Sequence, residues 1–135
     1  MAAFDAPSGE GRGTQAVVTW ITLLGGVFFV VFGTWALLWP HNFYEAVAEF
    51  PPFNLHLFHD AGAFQLGIGA SLLGAVLWPD AVFVALLGGS VAAIIHAASH
   101  VIDRDLGGDA SGPWSLGALA VVLLTATVLR LRVRR

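Results

Sequence analysis

The chain has 135 residues, of which 57% are hydrophobic and only 11% charged, with a formal net charge of -3 and no cysteine. A soluble domain carries about 25% charged residues to cover its water-facing surface, so this composition makes a lipid bilayer the chain's first partner. The missing cysteine excludes disulfides, iron–sulfur clusters and thiolate metal sites; the 6 basic residues, all arginine, form no basic domain, and nucleic acid is excluded as a partner.

Residues 1–16, rich in Gly, Ala and charge, read as a disordered cytoplasmic leader. The first apolar stretch, about 17–39, exceeds the roughly 7–15 residues of a signal-peptide core and is followed by no small-residue cleavage site, so it is read as a retained span. An outer loop over 40–53 carries Phe43, Tyr44, Val47, Phe50 and Phe53 among Glu45 and Glu49. Their three- and four-residue spacing predicts a short amphipathic helix on the membrane surface, ended by Pro51 and Pro52. Asn54 stands where it can cap the second span, about 54–78. The Trp78-Pro79-Asp80 turn leads into a third span over about 81–102. An outer loop over 103–113, a fourth span over about 114–131 and a basic cytoplasmic tail over 132–135 complete the chain.

Each stretch is near the ~20 residues that cross a hydrocarbon core about 30 Å thick. Pro7, Pro40, Pro51, Pro52, Pro79 and Pro113 fall outside these stretches or at their boundaries, as they must, because an interior proline breaks a helix. In lipid only a helix of this length satisfies its own backbone. The predicted fold is an all-α integral membrane four-helix bundle, residues 17–131, with antiparallel neighbours.

Four crossings put both termini on one side. Arg12, Arg130, Arg132, Arg134 and Arg135 lie there, against Arg104 alone on the other. The positive-inside rule therefore predicts cytoplasmic termini in a cell's inner membrane. Trp20, Trp39, Trp78 and Trp114 lie near span ends, where indoles favour the headgroup level.

Helix association in lipid depends on close packing of small residues. The third span offers Ala85, Gly89, Ala93 and Ala97 at four-residue spacing, with Gly88 and Ala92 in a row beside them; the second offers Ala63 with Gly67 and Ala70 with Gly74. These faces predict that the second and third spans pack as a tight pair. A homodimer face on the same ridge is the alternative.

All 5 histidines fall on the outer side: His41 after the first span, His56 and His59 on the first turns of the second, His96 and His100 on the last turns of the third. Glu45, Glu49, Asp60, Asp103, Asp105 and Asp109 share that side, whereas the inner turn between spans holds only Asp80. Helical spacing puts His56, His59 and Asp60 on one sector and His96, His100 and Asp103 on one stripe. If the second and third spans pack, both stripes face one outer pocket, with Asn54, Gln65 and Arg104 as further polar groups.

Ionisable groups within a span are functional candidates by default. Imidazoles and a carboxylate from His56, His59, Asp60, His96 and His100 would suit zinc, copper or iron, or two of the histidines a haem. The alternative is a structural polar cluster in which the histidines bond to Asp60, Asp103 or backbone carbonyls. No nucleophile–base pair is legible: Ser71 and Ser90 lie deep in the spans, and Ser99 beside His100 forms no triad pattern.

The patterns His56-x-x-His59-Asp60 and His96-x-x-x-His100 look like the histidine boxes of membrane di-iron hydroxylases and desaturases, which use more histidines on a longer chain. The run from Phe53 to Ala63 resembles a motif of small four-span bacterial membrane proteins of uncharacterised function. In these, Asn-x-His-Leu-x-x-Asp-x-Gly-Ala opens the second helix and His-x-x-x-His ends the third. Asn54, His56, Leu57, Asp60, Gly62 and Ala63 match the first part, and His96 and His100 the second. His59 stands where the pattern has arginine. The resemblance covers about the middle half of the chain and implies a shared fold and outer polar site, without an activity. The lysine-free, alanine- and arginine-rich composition suggests a high-GC bacterium as the source.

The functional expectations are a membrane protein whose outer His/Asp-rich pocket takes a metal, haem or small polar ligand, or an accessory subunit of a larger membrane complex or homo-oligomer with no cofactor of its own. Transport is disfavoured because no span is broken and the inner half lacks polar groups to line a path.

Overall fold

The computed structural model describes residues 9–133, which form helices and connecting turns with no strand among them. In chain order these are α1 (Gly9–Leu38), α2 (Pro40–Val47), α3 (Leu55–Leu77), a 3-10 turn (Pro79–Ala81), α4 (Val82–Ile102) and α5 (Gly112–Val133). Four of them, α1, α3, α4 and α5, are long and apolar enough to cross a membrane. The chain is a multi-pass membrane protein with an all-α four-helix bundle. One end of the bundle, where α1 finishes and α3 begins, carries the histidines; the other carries Arg12 and Arg130.

Helix α1 starts at Gly9, so residues 9–16, expected to be part of a disordered leader, are helical. Its 30 residues, at a rise of about 1.5 Å each, give about 45 Å, well beyond a hydrocarbon core of about 30 Å. The surplus turns hold Glu10, Arg12, Thr14 and Gln15 and extend the helix beyond the expected span. The rest of the expected leader, 1–8, and Arg134 and Arg135 of the expected tail lie outside the described residues.

The buried positions of α1 are Val18, Thr22, Gly25, Gly26, Phe29, Gly33 and Ala36, a stripe at alternating three- and four-residue steps. Helix α3 buries Phe58, Gly62, Gly69, Leu72 and Ala75 on the same period. Helix α1 packs on α3 and α5, and α4 on α5 and α3, so the order around the bundle is α1–α3–α4–α5. Large apolar side chains such as Leu24, Val31, Val84, Ile95 and Val121 are exposed on the outside, where lipid covers them.

The tight pairs are α1 with α3 and α4 with α5, not the second and third spans as their small-residue ridges predict. The reason lies in seven-residue glycine spacing. Gly26 and Gly33 of α1 face Gly69 and Gly62 of α3 so closely that a Cβ on Gly33 would lie 2.9 Å from the Gly62 carbonyl oxygen, and one on Gly69 would lie 2.9 Å from the Gly26 carbonyl oxygen. Backbone meets backbone there. By contrast, Gly67, Gly74 and Gly88, members of the expected seam, have nothing within 4 Å of a built Cβ. Gly89 is buried, but it meets the side chains of Leu72 and Leu123 at ordinary distances. A short tether keeps α3 and α4 neighbours without making them fit.

Between α4 and α5 the buried hydroxyls of Ser90 and Thr127 lie 3.0 Å apart, each also within hydrogen-bond reach of a carbonyl of its own helix, Leu86 or Leu123; one hydroxyl can donate across while the other donates to its own helix. At the arginine end, Arg130 of α5 is 7% exposed. Its Nη1 donates to Gln15 Oε1 at 3.0 Å and its Nη2 to the Pro79 carbonyl at 2.7 Å, so one guanidinium joins α5, α1 and the α3–α4 turn. Its Nε is buried without a hydrogen-bond partner among the described residues.

Candidate functional site

Aromatic packing builds the histidine end. Pro40 sits in the first turn of α2, where a missing N–H costs nothing, and the helix ends at Val47 rather than running to the two prolines as the spacing of its apolar residues predicts. Phe43 is buried against Trp35 and Phe58, with ring centroids 5.4 and 6.0 Å away. Trp35 Nε1 donates to Asn42 Oδ1 at 2.8 Å, tying α2 back onto α1. Phe53 stacks on Phe58 at 5.4 Å and on His41 at 4.0 Å. Asn54 caps α3 as its position predicts, its Oδ1 accepting from the Leu57 N–H at 3.2 Å.

The second loop is fastened to the first. The Gly108 N–H donates to the Glu49 carbonyl at 2.8 Å, and Gly107 approaches the same carbonyl with φ of 138°, where a built Cβ would lie 2.5 Å from the oxygen. Only glycine fits such a contact at positive φ. The Ser111 hydroxyl and backbone N–H both bond to Asp109, the latter at 2.6 Å, and hold its carboxyl below the usual aspartate range.

These pieces enclose a cleft of about 1000 Å³. Phe28, Phe29 and Phe32 of α1, Phe43 of α2, Phe58 and Ile68 of α3, and Leu119 of α5 give it apolar walls; Asn54, Gln65, His96, His100, Asp103, Asp109, Ser111 and Ser115 supply the polar groups. Along α3 it runs from Asn54 to Ile68, about 20 Å at 1.5 Å per residue, so its apolar end reaches toward the middle of the span. Phe64, also lining it, is 75% exposed. The cleft therefore meets the surface of the bundle beside Phe64.

The expected site residues are divided by this cleft. His96 and His100 line it, with ring centroids 5.0 Å apart, and Phe50 stands edge-on to His100 at 5.4 Å. Gln65, Asn54 and Asp103 line it too. His56, His59 and Asp60 do not: His56 pairs with Asp60 at 3.4 Å on the outside of α3, its side chain 85% exposed, and His59 is exposed beside them. Arg104 is likewise outside, 3.8 Å from the exposed Asp105. The two stripes do not converge because α3 is turned by its glycine contact with α1, which carries Phe58, Ala61 and Gln65 to the cleft and the His56–Asp60 sector away from it. Among the described residues no three His, Asp or Glu side chains are grouped closely enough to hold a metal ion. The two histidines of α4 are one turn apart on a single helix and have no histidine opposite them for a haem.

Composition-level reading misses the phenylalanine wall of α1 and the α5 residues Ser115, Leu116 and Leu119. The signal for the first is present: Phe28 and Phe32 are one turn apart and stack at 4.4 Å, and Trp35 continues the same face. Comparison with protein families, with curated proteins and with solved structures finds no match.

Proposed function

We propose that this chain is a membrane ligand-binding protein whose histidine-end cleft holds a lipid-dissolved amphiphile, with the tail along the phenylalanine wall and the head among the polar side chains. The observation that carries this reading is the polarity gradient of one continuous cleft. A small-molecule site is typically a concavity of about 300–1,000 Å³, mostly apolar, with a few convergent polar groups; this cleft is at the upper end of that range and meets the bundle surface beside Phe64. The small polar ligand expected from the histidines alone would leave the apolar part empty.

The arginine distribution supports cytoplasmic termini and an outward-facing cleft in a bacterial inner membrane. A C-terminal alkaline phosphatase fusion is then inactive, since that enzyme works only outside the cytoplasm. The binding test is organic extraction and mass spectrometry of the protein purified in nanodiscs, beside an Ala92→Trp variant that fills the cleft from α4. One extractable amphiphile at near-stoichiometric amount, lost in the variant, is expected; only bulk lipid in both would refute the reading.

A second reading is an accessory subunit of a larger assembly. It draws on a groove of about 500 Å³ between α3 and α4 toward the arginine end, floored by Gly74, Gly88 and Gly89. Membrane helices associate through such small-residue surfaces. In-membrane crosslinking from Ser71, followed by mass spectrometry, gives one recurrent partner if it is correct.

A further inference from the structure

Resting on the amphiphile-binding reading, we propose that the head group the cleft takes is uncharged and accepts hydrogen bonds, as a carbonyl or hydroxyl does, and that charged lipid heads are rejected. The side chains deep enough to touch a head lying at the inner limit of the polar zone are Gln65 and His96, with Ser115 across from them on α5. An amide and a hydroxyl each donate and accept, and an imidazole offers at least one N–H donor. Neither the amide nor the hydroxyl supplies a full charge to a buried ion. The Gln65 amide has no hydrogen-bond partner among the described residues, and the His96 ring stands 5.0 Å from the ring of His100. Both present donors to the cleft.

Among the described residues no arginine lines the cleft: Arg104 lies outside it beside Asp105, and Arg130 is at the opposite end of the bundle. A phosphate or carboxylate head would therefore sit against phenylalanine walls without a guanidinium, with only the imidazoles of His96 and His100 beside it. It would also pass two carboxylates, Asp103 and Asp109, at the rim. Burying an ion without a partner is costly at any depth where water is excluded, and like charges at the mouth add to the barrier. A cationic head would meet those rim carboxylates favourably but would lose them on moving in to Gln65 and His96. An uncharged head alone finds partners throughout.

The test uses three diazirine-tailed twelve-carbon probes in phosphatidylcholine nanodiscs, differing only in the head: an alcohol, a phosphate and a trimethylammonium. After photolysis, labelling of the cleft-lining segments of α3, α4 and α5 is quantified by peptide mass spectrometry. The alcohol should label them at least tenfold more than either charged probe. Replacing both Gln65→Leu and His96→Leu should cut alcohol labelling severalfold while thermal unfolding stays cooperative. A phosphate or ammonium probe that labels the lining as strongly as the alcohol would overturn the head-group assignment and leave the amphiphile reading standing. Alcohol labelling unchanged in the double variant would overturn the assignment too. If no probe labels the lining, or labelling is undiminished in Ala92→Trp and in a second cleft-filling variant, Ala61→Trp, the underlying reading fails with it.

Discussion

Replacing Gly33 by alanine tests whether the α1–α3 seam rests on backbone contact. The added Cβ would lie 2.9 Å from both the Gly62 carbonyl oxygen and the Leu66 nitrogen, and 3.0 Å from Gln65 Cβ. Two of the three neighbours are backbone atoms and cannot rotate away. Ordinary contact begins near 3.4 Å, so the helices must part locally by roughly 0.5 Å, a gap that forfeits about a quarter of the dispersion well at each contact it opens. Overpacking of this kind costs about 1–3 kcal/mol, and alanine's helix preference over glycine returns up to about 1 kcal/mol. With that preference returned in full, the net loss centres on about 1 kcal/mol. Gly62→Ala, whose Cβ would lie 2.8 Å from the Gly33 carbonyl oxygen, should cost as much. The pair together should cost less than the sum, because one separation relieves both clashes. Gly67→Ala and Gly74→Ala, with open space around them, should be neutral or slightly stabilising. Equilibrium unfolding by SDS titration in mixed micelles measures all five variants. If Gly33→Ala were as stable as the parent, or no worse than Gly67→Ala, the close-approach argument would be refuted.

At the arginine end, Arg130→Ala removes two charge-assisted hydrogen bonds and should destabilise by about 2–4 kcal/mol, more than Gln15→Ala, which removes one; thermal unfolding in detergent orders the two. A double-mutant cycle on Ser90→Ala and Thr127→Val should return a coupling of about 0.6 kcal/mol, the scale of interhelical hydrogen bonds in membranes, and a value near zero would mean that each hydroxyl bonds only its own helix. In the loop before α5, Asp109 has its pKa lowered by the Ser111 hydrogen bonds. A carboxylate depressed on folding contributes stability above its unfolded pKa and loses it as the pH falls through the folded value. The loop tie should therefore be intact at neutral pH and weaken below about pH 4. An NMR titration should show the Ser111 amide resonance moving in that acid range, and Ser111→Ala should shift the Asp109 transition upward.

The spans were legible because lipid requires long apolar helices and prolines avoid their interiors; the Asn54 cap and the Pro79 turn were legible for equally local reasons. Helix pairing was not. The four-residue rows of Ala85, Gly89, Ala93 and Ala97 look smoother than the seven-residue pairs Gly26/Gly33 and Gly62/Gly69, yet close approach requires matched gaps on two helices at once, and one sequence read linearly exhibits only one helix at a time. That error carried into the site. His56 and Asp60 share a helical sector with each other, as spacing predicts, but the rotation of α3 about its axis is set by Gly62 and Gly69 meeting α1. His96 and His100 line the cleft because α4 presents them next to the gap that the loose α3–α4 contact leaves. Arg130 reads as one of a run of basic tail residues, and its burial follows from its place on the stripe that continues Leu123, Ala126 and Thr127.

The tie between Gly108 and the Glu49 carbonyl holds the two loops together above the cleft, while Phe64 marks the open flank below them. On the amphiphile reading proposed above, a molecule reaching Gln65 and His96 arrives by diffusing in the plane of the bilayer rather than from bulk water. Its occupancy answers to its mole fraction among the surrounding lipids. A ligand far too insoluble to titrate from buffer can then saturate the protein at modest intrinsic affinity, and the same ligand at fixed total amount will bind less as the membrane area is enlarged.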